Sequence, residues 1–233
     1  MAVSPFLTKC VLGLGGITVT AAGAAYAGGA FSSFKEKELI SKLIKTSNPD
    51  KREITTTTGT DALWKAAWKM YRYDNKDKNP GEDVWKLNDW KKPDNETINN
   101  DVEAPTSFIN ECKSQLSKKT FGIESDLYKE VLRYCTRDTL VKDLITENIS
   151  GTGKQLLQDG DTSGWNAAWQ QYLNDNKVKE KDKDKWKLSD WGSNSVSGTI
   201  SANFKSTCSS KSTSKAYSVD NEDYKDVVSW CTK

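Results

Sequence analysis

Four cysteines carry the most defined chemistry in this chain. Cys112, Cys135, Cys208 and Cys231 fall in two C-x22-C pairs. An even number at a repeated spacing suits disulfides in an oxidising compartment. Four cysteines allow three pairings, of which the simplest joins Cys112 to Cys135 and Cys208 to Cys231. Structural zinc fits poorly, because the chain has no histidine and no close C-x-x-C pair. The same lack of histidine removes Ser-His-Asp and Cys-His catalysis, His-ligated haem and a His pH switch. What remains for acid–base work is carboxylates, paired at Glu36/Glu38, Glu82/Asp83 and Glu222/Asp223. A glycosidase needs two of them across a cleft in unlike environments, and none of these sits in an apolar context. The expectation is therefore no catalytic residue, no metal and no cofactor, with a secreted hydrolase the least favoured reading.

Tryptophan is the other conspicuous type, with nine copies. Each buries on the order of 150–250 Å² when packed, so Trp64, Trp68, Trp165 and Trp169 are read as core. Trp85 and Trp90, with Asp89, sit in a less regular segment, as do Trp186 and Trp191 with Asp190. These six residues are the candidate ligand groove, where indole faces would stack on sugar rings; a lid packed over the core is the competing account. The run D-G-D-T-S-G places Asp159, Asp161, Ser163 and Gly164 like part of a calcium loop. Gln170 stands where a bidentate acid is needed, so a turn capping the next helix is the better account.

Charge says little about a polyanion. The 233 residues hold 34 Lys+Arg and 32 Asp+Glu, a net +2, and mean hydropathy is −0.71. No basic excess points to nucleic acid. The alternating run K-V-K-E-K-D-K-D-K reads as a solvated, mobile connector. From Cys10 to Phe34, 25 residues pass without a charge, enough to cross a bilayer as a helix. This segment is read as a membrane-directing helix, either a retained signal anchor or a signal peptide cleaved after Ala25-Tyr26-Ala27. Cys10 precedes the apolar stretch, which excludes lipidation there. The chain beyond is then expected outside the cell membrane, or secreted if cleavage occurs.

The elements that must position these residues come twice. Trp64, Trp68, Trp85 and Trp90 recur as Trp165, Trp169, Trp186 and Trp191, each 101 positions later. Residues 61–90 and 162–191 share 15 of 30 positions. After a five-residue deletion the match resumes, with Phe108, Cys112, Tyr128, Val131 and Cys135 answered by Phe204, Cys208, Tyr224, Val227 and Cys231. Such self-similarity is the signature of a repeat. The domains are thus 1–34, the leader; 35–137, the first helical repeat; and 138–233, the second. The expected fold is mainly α, two tandem homologous helical bundles.

Each copy is expected to open with a short amphipathic helix (E-L-I-S-K-L-I-K, then T-L-V-K-D-L-I). A second helix starts near Thr60 or Asp61, with Trp64, Ala67, Trp68 and Tyr71 on one face. A third carries Ala104, Phe108 and Cys112, or Ile200, Phe204 and Cys208. A last helix is capped by Ser125 or Asp220 and presents Leu127, Val131, Tyr134 and Cys135.

The pattern W-x3-W-x2-Y followed by a Tyr–Val–Cys helix, behind a Gly/Ala-rich leader and within a Lys- and Asn-rich exterior, resembles the large paralogous families of uncharacterised proteins of haemotropic mycoplasmas. The residues that carry the resemblance are Trp64, Trp68, Tyr71, Tyr128, Val131 and Cys135 with their second-copy counterparts. It implies surface display and a part in host contact or antigenic variation. It supplies no activity or ligand. The expected partners are the membrane through residues 10–34 and a host protein or glycan. A carbohydrate-binding module built on the exposed tryptophans is the alternative function.

Overall fold

The structure, a computed structural model, describes residues 36–94, 98–99, 101–192 and 199–233. The leader 1–34, its membrane-directing segment 10–34 and its cleavage site lie outside the described residues. Among the described residues no helix is long and apolar enough to cross a membrane. Lys35–Lys233 form one contact unit, and it is mainly helical as expected.

In the first half, strand β1 (Glu38–Leu39) leads into helix α1 (Ile40–Ser47), followed by strand β2 (Lys51–Glu53). Helix α2 (Ala62–Asp74) follows, capped by Asp61, whose side chain accepts from Leu63 N. That cap supplies a partner to an otherwise orphan amide. Its face of Trp64, Ala67, Trp68 and Tyr71 is buried, while Leu63 and Met70 on other faces stay exposed. Helix α3 (Thr106–Leu116), strand β3 (Lys119–Thr120) and helix α4 (Asp126–Tyr134) complete this half. Ala104 is buried but precedes α3. Ser125 caps α4 by accepting from Tyr128 N.

Strand β4 (Thr136–Asp138) then leads into the second half. Helices α5 (Val141–Glu147), α6 (Ile149–Thr152), α7 (Thr162–Asp175), α8 (Ala202–Ser212) and α9 (Glu222–Trp230) follow. Asp161 caps α7, taking a hydrogen bond from Gly164 N at 2.9 Å, so the calcium-like run acts as a helix cap. The expected cap Asp220 is displaced by one residue. Asn221 accepts from Tyr224 N, because Asn221 stands where Ser125 stands in the first half, three residues before the matching tyrosine.

Strands are short and antiparallel. β1 pairs with β3, and β2 with β4, with Arg52 opposite Arg137. In the second half the matching contacts shrink to single bridges, Leu140–Lys215 and Leu156–Thr232. Buried apolar side chains fall into two clusters, one within residues 40–135 and one within 141–231. Each half also closes its own disulfide: Cys112–Cys135, with Cα atoms 5.5 Å apart, and Cys208–Cys231, at 5.7 Å. The simplest pairing is therefore the one formed. Each bond ties the third long helix of its half to the end of the fourth. In the entropic account, closing a loop of this length constrains the unfolded chain by roughly 3 kcal/mol.

Candidate functional site

The tryptophans converge on Tyr71 in the first half and Tyr172 in the second. Tyr71 stacks on Trp68 at 5.5 Å and meets Trp90, Trp85, Phe108 and Tyr134 at 5.1–5.6 Å. Tyr172 meets Trp169, Trp191, Trp186, Phe204 and Trp230 in the same arrangement, at 4.9–5.9 Å. Offset and edge-to-face contacts of this kind are worth on the order of 0.5–1.5 kcal/mol per pair beyond area burial.

The candidate groove is overturned at its centre by this packing. Trp90 and Trp191 are buried, at 3% and 0% exposure. Their indole nitrogens donate to backbone carbonyls of the charged loops, Lys78 O and Val178 O. Asp89 accepts from Ser107 Oγ at 2.6 Å, and Asp190 accepts from Ser201 Oγ at 2.7 Å, so both carboxylates fasten the segment to the neighbouring helix start. Trp85 and Trp186 are partly buried against the core and donate to Glu130 and Asp226. The lid account holds for Trp90 and Trp191. The physical reason is that the short W-K-L-[NS]-D-W segment puts Leu87 and Trp90, or Leu188 and Trp191, back onto the core. Trp85 borders an open depression, shared with Asn88, Ser107, Asn110 and Glu111.

Beneath the lid lies a buried polar network that the sequence reading missed. Tyr71 Oη donates to Asp83 Oδ2 at 2.5 Å, Leu87 N donates to the same oxygen, and Trp85 N donates to Tyr71 Oη. Asn75 spans the loop, donating to Tyr71 O and accepting from Val84 N. Tyr172, Asp184, Leu188, Trp186, Asn176 and Lys185 repeat every bond. Burial, then the bond to the carboxylate, raises both tyrosine hydroxyls above their ordinary range. Asp83 and Asp184 are 1% and 3% exposed. Their types look like solvated charges in a charged run. The available signal was their recurrence, with Asn75/Asn176, inside otherwise divergent loops. The run 177–185 is accordingly pinned: Lys179 donates to Leu173 O and Asn176 O, Asp184 is buried, and Lys185 pairs with Asp226 at 2.6 Å.

The paired carboxylates do not converge on a cleft. Glu82 bonds Asn79, Asp83 bonds Tyr71, Asp223 pairs with Lys211 and Ser214, and Glu222 lies 3.2 Å from Lys185. Among the described residues, no group of three or more acidic, His or Cys residues is placed to hold a metal.

The features that open to solvent lie elsewhere. Phe121 and Ile123, in the turn after β3, are 61% and 44% exposed. Their counterparts Tyr217 and Val219 are 55% and 44% exposed. Large apolar side chains thus stand in water at matched positions in both halves, whereas scattered exposed ones are ordinary. A second feature is the cleft where the halves meet, floored by β2 and β4.

Fold and contacts define a class: a disulfide-closed, tryptophan-rich, mainly helical protein. Comparison with protein-family models, with curated proteins and with solved structures finds no match.

Proposed function

We propose that this chain is an exported, membrane-anchored bacterial surface protein, non-enzymatic, that displays two homologous helical domains, 35–137 and 138–233, for host contact or antigenic variation. The observation that carries the reading is the pair of disulfides, one inside each half, with sulfurs buried in separate cores. Such bonds persist in oxidising surroundings and are rare in reducing ones. The uncharged stretch 10–34 supports anchorage, and the resemblance to haemotropic mycoplasma paralogues supports surface display. Duplication is supported by the matched networks around Tyr71 and Tyr172, which go beyond matched sequence.

In this reading the contact surface is the twice-presented pair Phe121/Ile123 and Tyr217/Val219. Cells carrying the full chain provide the test. Protease added outside should remove the helical halves from intact cells, and their loss only after lysis would overturn display. Binding of such cells to host cells or plasma proteins should fall at least several-fold in the Phe121→Ser, Tyr217→Ser double variant. Unchanged binding would move the contact elsewhere.

A further inference from the structure

The junction of the halves holds a cleft that neither the aromatic clusters nor the disulfides use. Its volume is about 370 Å³, within the usual range for small-molecule sites. One wall is α1 with Ser41, Ile44 and Lys45, and the other is α5 with Asp143, Thr146 and Glu147. Arg52 and Arg137 stand on the floor strands. The cleft requires both halves, since its walls are the opening helices of each.

Every cation in this lining already has a carboxylate partner. Arg52 clasps Glu147 through Nε at 2.8 Å and Nη2 at 3.0 Å. Arg137 clasps Asp143 through Nη1 at 2.5 Å and Nη2 at 2.9 Å. Lys51 meets Asp138 at 2.7 Å, and Lys45 lies 3.9 Å from Glu147. An entering ion would have to compete with these pairs. Bidentate clasps also fix the planes of both guanidinium groups, so donors and acceptors are oriented before anything binds.

Hydrogen-bonding capacity is nonetheless left over. Among the described residues, Arg137 Nε finds no hydrogen-bond acceptor, and the hydroxyls of Ser41 and Thr55 have no hydrogen-bond partner. The Glu53 carboxylate has no hydrogen bond or ion pair among the described residues, and burial holds it above the ordinary carboxylate range. Donors and acceptors thus both remain in the lining, and each of its cations has a carboxylate partner.

We propose that this cleft binds a neutral polyhydroxylated ligand, a sugar ring, with Ser41, Thr55, Glu53 and Arg137 as its hydrogen-bonding residues. Hydroxyls both donate and accept, so adjacent ones can give protons to Glu53 while accepting from Arg137 and the two side-chain hydroxyls. No cation is left to be neutralised, and Glu53 would take ligand hydroxyls in place of a counter-ion. The inference goes beyond surface display and does not depend on it. It also places sugar recognition away from the tryptophans.

The experiment is saturation-transfer NMR on the full chain in lipid nanodiscs, which avoids glycoside detergents. The probes are methyl glucoside, methyl galactoside, methyl mannoside and N-acetylglucosamine, with glucuronate and glucosamine as charged arms. A saturable response to at least one neutral sugar is expected. Ser41→Ala and Thr55→Ala should each weaken it roughly five-fold, the size of one hydrogen bond. Ser41→Trp should abolish it by filling the cleft, with near-ultraviolet dichroism showing the aromatic clusters intact. No saturable neutral sugar overturns the proposal, as does binding indifferent to Ser41→Trp. Saturation by glucuronate or glucosamine alone makes the cleft an ion site and equally overturns it.

Discussion

The two halves solve the same packing problem with different chemistry. In the first, Asp74 accepts from Tyr134 Oη and is clasped by Arg133. In the second, Asp175 holds the same position, yet its partner is Trp230 Nε1 at 2.7 Å. Glu130 and Asp226 likewise take the same indole bond, but Asp226 adds Lys185. Gln115 is answered by Lys211, so an amide bonded to Glu111 becomes an ammonium paired with Asp223. All four arginines lie at or before residue 137. Asp74/Asp175 and Glu130/Asp226 kept their places as acceptors while the donors around them changed, whereas at Gln115/Lys211 the acceptor itself moved from Glu111 to Asp223. Asp226 is the buried one of these carboxylates, at 4% exposure, and leaving a buried acceptor without a donor costs about 1–3 kcal/mol, whereas exchanging one satisfied donor for another costs little.

The largest expected effect comes from the disulfides. Replacing Cys112 and Cys135 by Ala, or Cys208 and Cys231, should each cost roughly 3 kcal/mol, measured by denaturant unfolding. A single transition that either replacement shifts as a whole would mean that the halves unfold as one. Two separated transitions, with only one shifted, would show that each half unfolds by itself.

Next comes the buried tyrosine bond. Tyr71→Phe and Tyr172→Phe strip a donor from Asp83 and Asp184 and should each cost about 2 kcal/mol. The costs should match, because the networks match bond for bond. A clear inequality would show that the exchanged partners at the periphery reach the centre.

Acid separates the seam from the cores. Lys215, then Lys51, hold Asp138 below the ordinary carboxylate range. Burial pushes Asp143 upward, but its clasp with Arg137 prevails and depresses it. Their stabilisation is complete above about pH 4, the ordinary carboxylate value, and is lost as pH falls through their depressed values. Glu53 is raised by burial and acts oppositely, so its protonation partly offsets that loss. Between pH 5 and pH 2, amide exchange should rise in β2 and β4 before the centres of α2 and α7. The reverse order would refute a seam held by charge.

The smallest effect is in the backbone. Lys86 and Lys187 both have φ of 51°, at matched positions in the lid. A glycine adopts such a conformation without a Cβ penalty. Lys86→Gly and Lys187→Gly should stabilise by up to about 1 kcal/mol each, seen as a rise in Tm. Destabilisation would mean that the lysine side chains contribute more than the strain they impose.

The helix faces and the repeat could be read from spacing, because Trp64-x3-Trp68 recurs at a fixed offset; C-x22-C left three disulfide pairings open, of which the simplest is the one formed. The candidate groove could not. Trp90 and Trp191 lie in a six-residue segment too short for periodicity to reveal an inward face. The strands K-R-E and T-R-D carry no apolar alternation and pair across more than eighty residues, so the seam and its cleft were invisible. Asn75 and Asp83 were hidden because a buried carboxylate and a solvated one look alike until their donors are known.

Strand β4 straddles the expected boundary at residue 137. Thr136–Asp138 pairs with β2, while Thr139 beside it receives an amide from Ala216 and donates to Asp50 O. The halves are therefore stitched rather than strung, and no scissor cut there leaves two clean pieces. A shortened protein ending at Arg137 would lose Asp138 from the ribbon, and one beginning at Asp138 would carry its stump. Anyone dissecting the molecule for immunisation or ligand screening should overlap the pieces through residues 136–140, or raise reagents against the whole.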